Sequence, residues 1–173
     1  MSHASSVPSP RAADARPQQS YSGTAGDVLF DAVYGGAIGG SAIALFFLVV
    51  DVLEGHPLFT PSLVGTVLFT PASPASVTEV RLDMVAYFSI VHFLAFGALG
   101  AGIAQLCRRF ELVEGHPAIV AGVVFAVLTL AFLFADYTVM PGVATVIGLG
   151  LVLAANAVTG IAMAAFIKSS HRT

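Results

Sequence analysis

The sequence predicts an all-α integral membrane protein, a bundle of four transmembrane helices with a short interfacial helix in its first outer loop. The first observation behind this fold class is composition: of 173 residues, 57% are hydrophobic and 10% are charged, with a mean hydropathy of +0.89. A soluble domain is typically about 25% charged, so this chain has too few charges to cover a globule. The second observation is spacing, because four uncharged stretches have the length of about 20 apolar residues that crosses a bilayer.

The membrane domain is predicted at 27–168 and holds all four spans. Each span is dense in Leu, Val, Ile, Phe and Ala, and any proline lies near an end. The predicted spans cover residues 33–53, 84–107, 118–135 and 143–167. Residues 1–26 are rich in Ser, Ala, Pro and Gln and bury too little apolar area to offset the entropy of ordering. We therefore expect a disordered cytoplasmic tail there, and a short cytoplasmic tail at 169–173.

The uncharged stretch 55–78 holds four prolines and is therefore not a simple span. Proline in a helix interior removes a backbone donor, and an unsatisfied donor in lipid is costly. We expect a short helix at 61–69, with Thr60 as its N-cap, lying on the outer surface over the helix ends. The alternative is a fifth crossing with a broken helix at 58–74.

The short helix has a predicted apolar face and a predicted polar face. Leu63 and Val67 recur at the spacing of one helical face and should pack on the bundle. Ser62 and Thr66 fall on the other face and should meet water. Cysteines at positions 62 and 66 are then expected to react with an impermeant reagent, whereas those at 63 and 67 are not.

The distribution of basic residues predicts that both termini lie in the cytoplasm. With four spans, the termini and the 108–117 loop share one side, and the side richer in Lys and Arg is cytoplasmic. Arg81 is the basic residue on the other side. The cytoplasmic set is Arg11, Arg16, Arg108, Arg109, Lys168 and Arg172.

Small residues form close-packing faces on three of the predicted spans. The first span carries two overlapping glycine pairs with four-residue spacing, which let another helix approach closely. Such faces favour association with other membrane subunits or with copies of the chain itself, in addition to contact with the lipid bilayer; packing within the chain is the alternative. The predicted packing residues are Gly35, Gly36, Gly39, Gly40, Gly97, Ala101, Gly160 and Ala164.

His92 is the candidate for contact with a cofactor, because an ionisable group well inside a span is a functional candidate by default. One interpretation is a ligand of haem or of a metal, or a proton-relay group. The other is a neutral histidine that is hydrogen-bonded between helices. From the helical rise, Thr129 and Ser41 lie at a depth similar to that of His92, and Asn156 lies deeper.

The outer boundary provides a candidate metal site. Helix ends are predicted to bring Asp51, Asp83 and Asp136 to one surface, with His56 on the loop between them. Carboxylates with one histidine suit a hard divalent cation. The alternative is a set of ordinary boundary charges with Arg81 as their counter-ion.

The function classes are narrowed mainly by what the sequence lacks. It contains no serine nucleophile elbow, no paired zinc-protease histidines and no Walker lysine loop. A net charge of −3 without a basic run argues against nucleic acid as a partner. The sequence therefore favours a non-catalytic accessory or structural subunit of a membrane complex, or a homo-oligomer. The alternatives are a small ion or solute transporter lined by His92, Thr129, Asn156, Thr159 and Ser41, and a redox subunit that holds haem or quinone near His92.

A resemblance to known proteins rests on two segments in the middle of the chain. Residues 56–65 read HPLFTPSLVG, and the following span contains VHFLAF at 91–96. This pattern resembles small four-helix bacterial membrane proteins to which no activity is assigned. The resemblance implies a bundle in a bacterial inner membrane, and it gives no residue a functional role.

Overall fold

The computed structural model describes residues 25–109 and 116–170, and within these ranges all regular structure is helical. Four helices are long and apolar enough to cross a membrane, and a shorter apolar helix lies between the first two. The predicted all-α fold with four spans and a short loop helix is therefore confirmed. In chain order the helices are α1 (Ala25–Leu53), α2 (Phe59–Phe69), α3 (Leu82–Arg109), α4 (Pro117–Thr138), α5 (Val143–Ile147) and α6 (Leu149–Ser170), with a one-turn 3₁₀ helix at Pro74–Ser76.

The ends of the chain fall mostly outside the described ranges. Of the tail predicted at 1–26, the last two residues belong to α1, and the others lie outside the described residues. The tail predicted at 169–173 is described only for its first two residues, which belong to α6.

α1 and α6 are the two central helices of the bundle. They pack against each other, α1 also packs against α3, and α6 also packs against α4. At the end of the bundle far from α2, a buried apolar cluster joins α3, α4 and α6. Its buried members are Ile103, Val120, Val124, Met163 and Ala164.

α2 runs alongside the first turns of α3 and in the same direction. Near the middle of α2, Gly65 lies against the backbone of Met84, where an added Cβ would come within 2.9 Å of the Met84 carbonyl carbon. One turn further along both helices, the rings of Phe69 and Tyr87 lie 5.8 Å apart. α2 therefore extends along the bundle rather than across the helix ends, and this differs from the predicted placement.

The other side of α2 packs on the segment that joins α4 to α5. Leu63, Val64 and Val67 share one apolar cluster with Met140 and Val143. Partly buried side chains from α2 itself, α3, α4 and α5 and from the segment before α3 complete this cluster. The partly buried members are Phe59, Val77, Phe88, Phe132, Ala135 and Ile147.

Because α2 is covered on two sides, the predicted division into a polar and an apolar face is wrong. Ser62 is 0% exposed and Thr66 is 6% exposed, so neither meets water. Cysteines at 62 and 66 are therefore not expected to react differently from those at 63 and 67. Thr60 is also not the N-cap, since Leu58 holds that position without a side-chain cap.

The last predicted span, 143–167, is divided into two helices at Gly148. This glycine has a φ of 91°, a left-handed conformation that ends α5 after five residues. Asp136 at the end of α4 accepts a 2.7 Å hydrogen bond from the backbone N–H of Ala144, which ties α5 to α4. The membrane-spanning segment therefore begins at Leu149.

Candidate functional site

His92 lies where α3 packs against α1. Its Nε2 atom is 3.0 Å from the carbonyl oxygen of Gly40. Because a carbonyl oxygen only accepts, the Nε2–H group of His92 must be the donor. Three phenylalanine rings, those of Phe88, Phe93 and Phe96, lie 4.8 to 5.3 Å from the imidazole between ring centroids. His92 thus forms an interhelical hydrogen bond within an aromatic surround.

The polar residues of the last two spans form a second interhelical pair. Asn156 of α6 donates through Nδ2 to Oγ1 of Thr129 in α4, at 3.1 Å. Thr159, one turn beyond Asn156, is fully buried and donates to the carbonyl oxygen of Ala155 at 2.9 Å. Ser41 is exposed on the outside of the bundle. The residues named for a transporter lining therefore do not form one continuous polar path: His92, Thr159 and the Asn156–Thr129 pair have separate partners, and Ser41 faces outward. The depths estimated from the sequence did not predict the Asn156–Thr129 pair.

Asp51 is the most deeply buried carboxylate among the described residues, at 1% exposed. Its Oδ2 atom accepts from the backbone N–H of Thr60 at 2.8 Å, and its Oδ1 atom accepts from the Thr60 hydroxyl at 2.6 Å. These two bonds join the end of α1 to the first turn of α2. We refer to them together as the Asp51–Thr60 latch.

The other predicted metal ligands have separate partners. His56 lies 3.7 Å from Glu54, and both side chains are largely exposed. Asp83 forms an ion pair with Arg81 at 2.6 Å, also at the surface. Asp51 is bonded to Thr60, and Asp136 is bonded to α5. In the described part of the chain, no group of three or more His, Cys, Asp or Glu residues is placed to hold a metal ion.

Two hydroxyl groups of α2 were not identified as important by the sequence reasoning. Ser62 accepts a 2.7 Å hydrogen bond from the backbone N–H of Arg81, which fixes the chain just before α3. The Oγ1 atom of Thr66 is buried and has no hydrogen-bond partner among the described residues. Their residue types alone gave no signal, because the partner of Ser62 is a backbone group distant in sequence.

The glycines of α1 allow close approach to α3. A Cβ atom added at Gly36 would lie 2.5 Å from the carbonyl oxygen of Phe96 and 2.8 Å from the Cα of Gly97. A Cβ at Gly40 would lie 3.1 Å from the ring of Phe93. α1 and α3 therefore meet with their backbones nearly in contact at Gly36.

Glycines also mediate the contacts of α6. A Cβ at Gly39 of α1 would lie 2.7 Å from the sulfur of Met163, and a Cβ at Gly160 would lie 2.6 Å from the carbonyl oxygen of Ala121 in α4. At Gly35, by contrast, an added Cβ would meet nothing within 4 Å. The other predicted packing residues are Gly97 and Ala101, which are half-buried, and Ala164, which is buried.

Comparison of the chain with protein-family models, with curated proteins and with solved structures found no match. The resemblance of residues 56–65 and 91–96 to small bacterial membrane proteins therefore stays a sequence-based expectation.

Proposed function

We propose that this chain is a non-catalytic multi-pass membrane protein that acts as a packing subunit of a larger membrane complex, or as a homo-oligomer. We further propose that it resides in a bacterial inner membrane with both termini in the cytoplasm. The four apolar helices are long enough to cross a membrane and support a multi-pass membrane protein; the role and the orientation are the proposal.

The observation that supports a packing role is that polar side chains inside the spans form hydrogen bonds within the bundle. His92 bonds to the backbone of α1, and Asn156 of α6 bonds to Thr129 of α4. Ser89 and Thr159 each bond to a carbonyl oxygen four residues earlier in their own helix. The bonds of His92 and Asn156 hold helices together. None of these four polar groups is presented to a substrate, as a transport pathway would require.

The outward faces of the helices support association with further membrane helices. Among the four spans, α4 is the least buried within the chain and α6 the most. Gly102, Gly122 and Gly150 lie exposed on α3, α4 and α6, and a Cβ at any of them would meet nothing within 4 Å. Small residues on an outer face permit a second helix to approach closely.

The test is purification of the tagged protein from its native membrane in mild detergent, followed by mass spectrometry, native mass determination and an absorption spectrum. We expect either a partner membrane protein in constant ratio or a defined oligomer, without a haem absorption band. A stable monomer without a partner would overturn the subunit proposal, and a haem band would favour the redox alternative.

A matched pair of variants separates association from folding. Gly122→Leu adds bulk on the outer face of α4 and should weaken association while the protomer stays folded. Gly36→Leu adds the same bulk at the α1–α3 contact and should destabilise the protomer itself. Association unaffected by bulk at 122, and likewise at 102 and 150, would exclude the outward glycines as the contact.

A further inference from the structure

The turn that connects α1 to α2 contains a backbone conformation that its residue disfavours. Leu58, the N-cap of α2, has a φ of 68°, and it is the one non-glycine residue with positive φ in the described part of the chain. A branched side chain in the left-handed region is strained and persists only where surrounding contacts enforce it. Gly55 in the same turn has a φ of 86° without that strain.

α2 also buries a polar group without compensation. The hydroxyl of Thr66 loses contact with water when α2 packs, and it gains no partner among the described residues. A buried donor or acceptor left unsatisfied opposes the packed state. Both unfavourable features, the strained turn and the unpaired hydroxyl, would be relieved if α2 moved away from the bundle.

Two features hold α2 in place in spite of the strained turn and the unpaired hydroxyl. The Asp51–Thr60 latch supplies two short hydrogen bonds to a carboxylate, which are stronger than neutral ones. The apolar cluster around Leu63 and Val67 supplies burial. The latch lies next to the strained turn, at the end of α2 where a rotation would begin.

We propose that α2 is a hinged cover, which turns about residues 55–58 and is held closed by the Asp51–Thr60 latch. In the closed position α2 packs against the first turns of α3 and against Met140 and Val143. Opening exposes apolar side chains of this cluster, including Phe88, Phe132 and Met140. The inference concerns motion within one chain and stands independently of the proposed subunit role.

The experiment measures the reaction rate of a cysteine on α2 with a small water-soluble thiol reagent, using the full-length protein in detergent with Cys107→Ala. Thr66→Cys reports on opening, because position 66 is buried and its hydroxyl has no partner to lose. Thr159→Cys, buried in α6, reports on loosening of the whole bundle. Each reporter is combined with Asp51→Ala, with Thr60→Val or with the conservative Thr60→Ser.

We expect Asp51→Ala and Thr60→Val to accelerate reaction at position 66 at least tenfold relative to Thr60→Ser, and we expect position 66 to react faster than position 159 in each of these backgrounds. An unchanged rate at position 66 would overturn the proposal, because the latch would then not restrain α2. Equal rates at positions 66 and 159 would overturn it as well, because α2 would then open only when the whole bundle unfolds.

Discussion

The Nε2 atom of His92 lies 3.0 Å from the carbonyl oxygen of Gly40, so a polar side chain of α3 is bonded to the backbone of α1. Gly40 permits this approach, since a Cβ there would already lie 3.1 Å from the ring of Phe93. A side chain without a donor at position 92 would remove this bond together with the contacts that the imidazole makes with three phenylalanine rings. A comparison of variants with and without a donor at this position therefore measures what the interhelical hydrogen bond contributes.

Replacement of His92 by leucine should lower the free energy of unfolding by about 0.6 kcal/mol, the average for interhelical hydrogen bonds in membrane bundles. His92→Gln retains an N–H donor and should lose less. The measurement is reversible unfolding in mixed micelles. Equal losses for the two variants would show that packing of the ring, and not the bond to Gly40, is responsible.

Gly36→Ala should destabilise the protein by about 1–3 kcal/mol, as expected for overpacking, because the new methyl group would lie 2.5 Å from the carbonyl oxygen of Phe96. Gly35→Ala is the matched control on the same helix, since its methyl group meets nothing within 4 Å. Thermal unfolding in detergent compares the two. If Gly35→Ala lowered the stability as much as Gly36→Ala, a change in helix flexibility, rather than close approach to α3, would explain the loss of stability.

Asn156 and Thr129 should be energetically coupled. Asn156→Leu and Thr129→Val each remove one partner of their 3.1 Å hydrogen bond. In a double-mutant cycle we expect a coupling energy of about 0.6 kcal/mol and at most about 1.7 kcal/mol. Additive effects would mean that the bond contributes nothing to the stability of the α4–α6 contact.

The same substitution should have opposite effects at two positions of α2. Thr66→Val replaces an unpaired buried hydroxyl with a methyl group and should stabilise the protein by about 1 kcal/mol or more. Thr60→Val removes a hydrogen bond to the Asp51 carboxylate and should destabilise it by about 1.5–3 kcal/mol. Unfolding midpoints of the two variants provide the test, and a loss of stability in Thr66→Val would indicate that its hydroxyl is bonded in solution.

The orientation proposed from the basic residues is tested with single cysteines in Cys107→Ala. Ser76→Cys lies in the loop between α2 and α3, and Ser169→Cys lies near the end of α6; both positions are exposed. An impermeant reagent applied to intact cells should modify position 76 and should modify position 169 only after permeabilisation. The reverse pattern would place the termini outside.

The number of spans could be predicted because the lack of charge over a long stretch is a property of the sequence alone. The partner of Asn156 could not be predicted in this way. The lack of charge places the start of the last span at residue 143, whereas in the structure Gly148 ends α5 and the span begins at Leu149. Counted from Leu149, Asn156 lies about 10 Å along its helix, close to the depth estimated for Thr129. A single left-handed glycine inside an apolar run thus decided which polar residues meet.

The burial of α2 could not be predicted from the pattern of its residues either. Ser62 and Thr66 indicated a solvent-exposed face, because serine and threonine are usually exposed. In the structure, Ser62 accepts from the backbone of Arg81, and Thr66 is buried with no compensating bond. Neither a hydrogen bond to a distant backbone group nor an unpaired buried hydroxyl changes the periodicity of polar and apolar residues in the sequence.

The packing of α1 on α6 has a consequence for how the protein is made. α1 leaves the ribosome well before its partner α6, which meets Gly39 through Met163. α4 also packs on α6, so α1 and α4 both await the same later helix. The nascent chain therefore holds incomplete helix contacts until α6 has been translated, and a premature stop before Leu149 would yield a product in which α1 and α4 lack their shared partner.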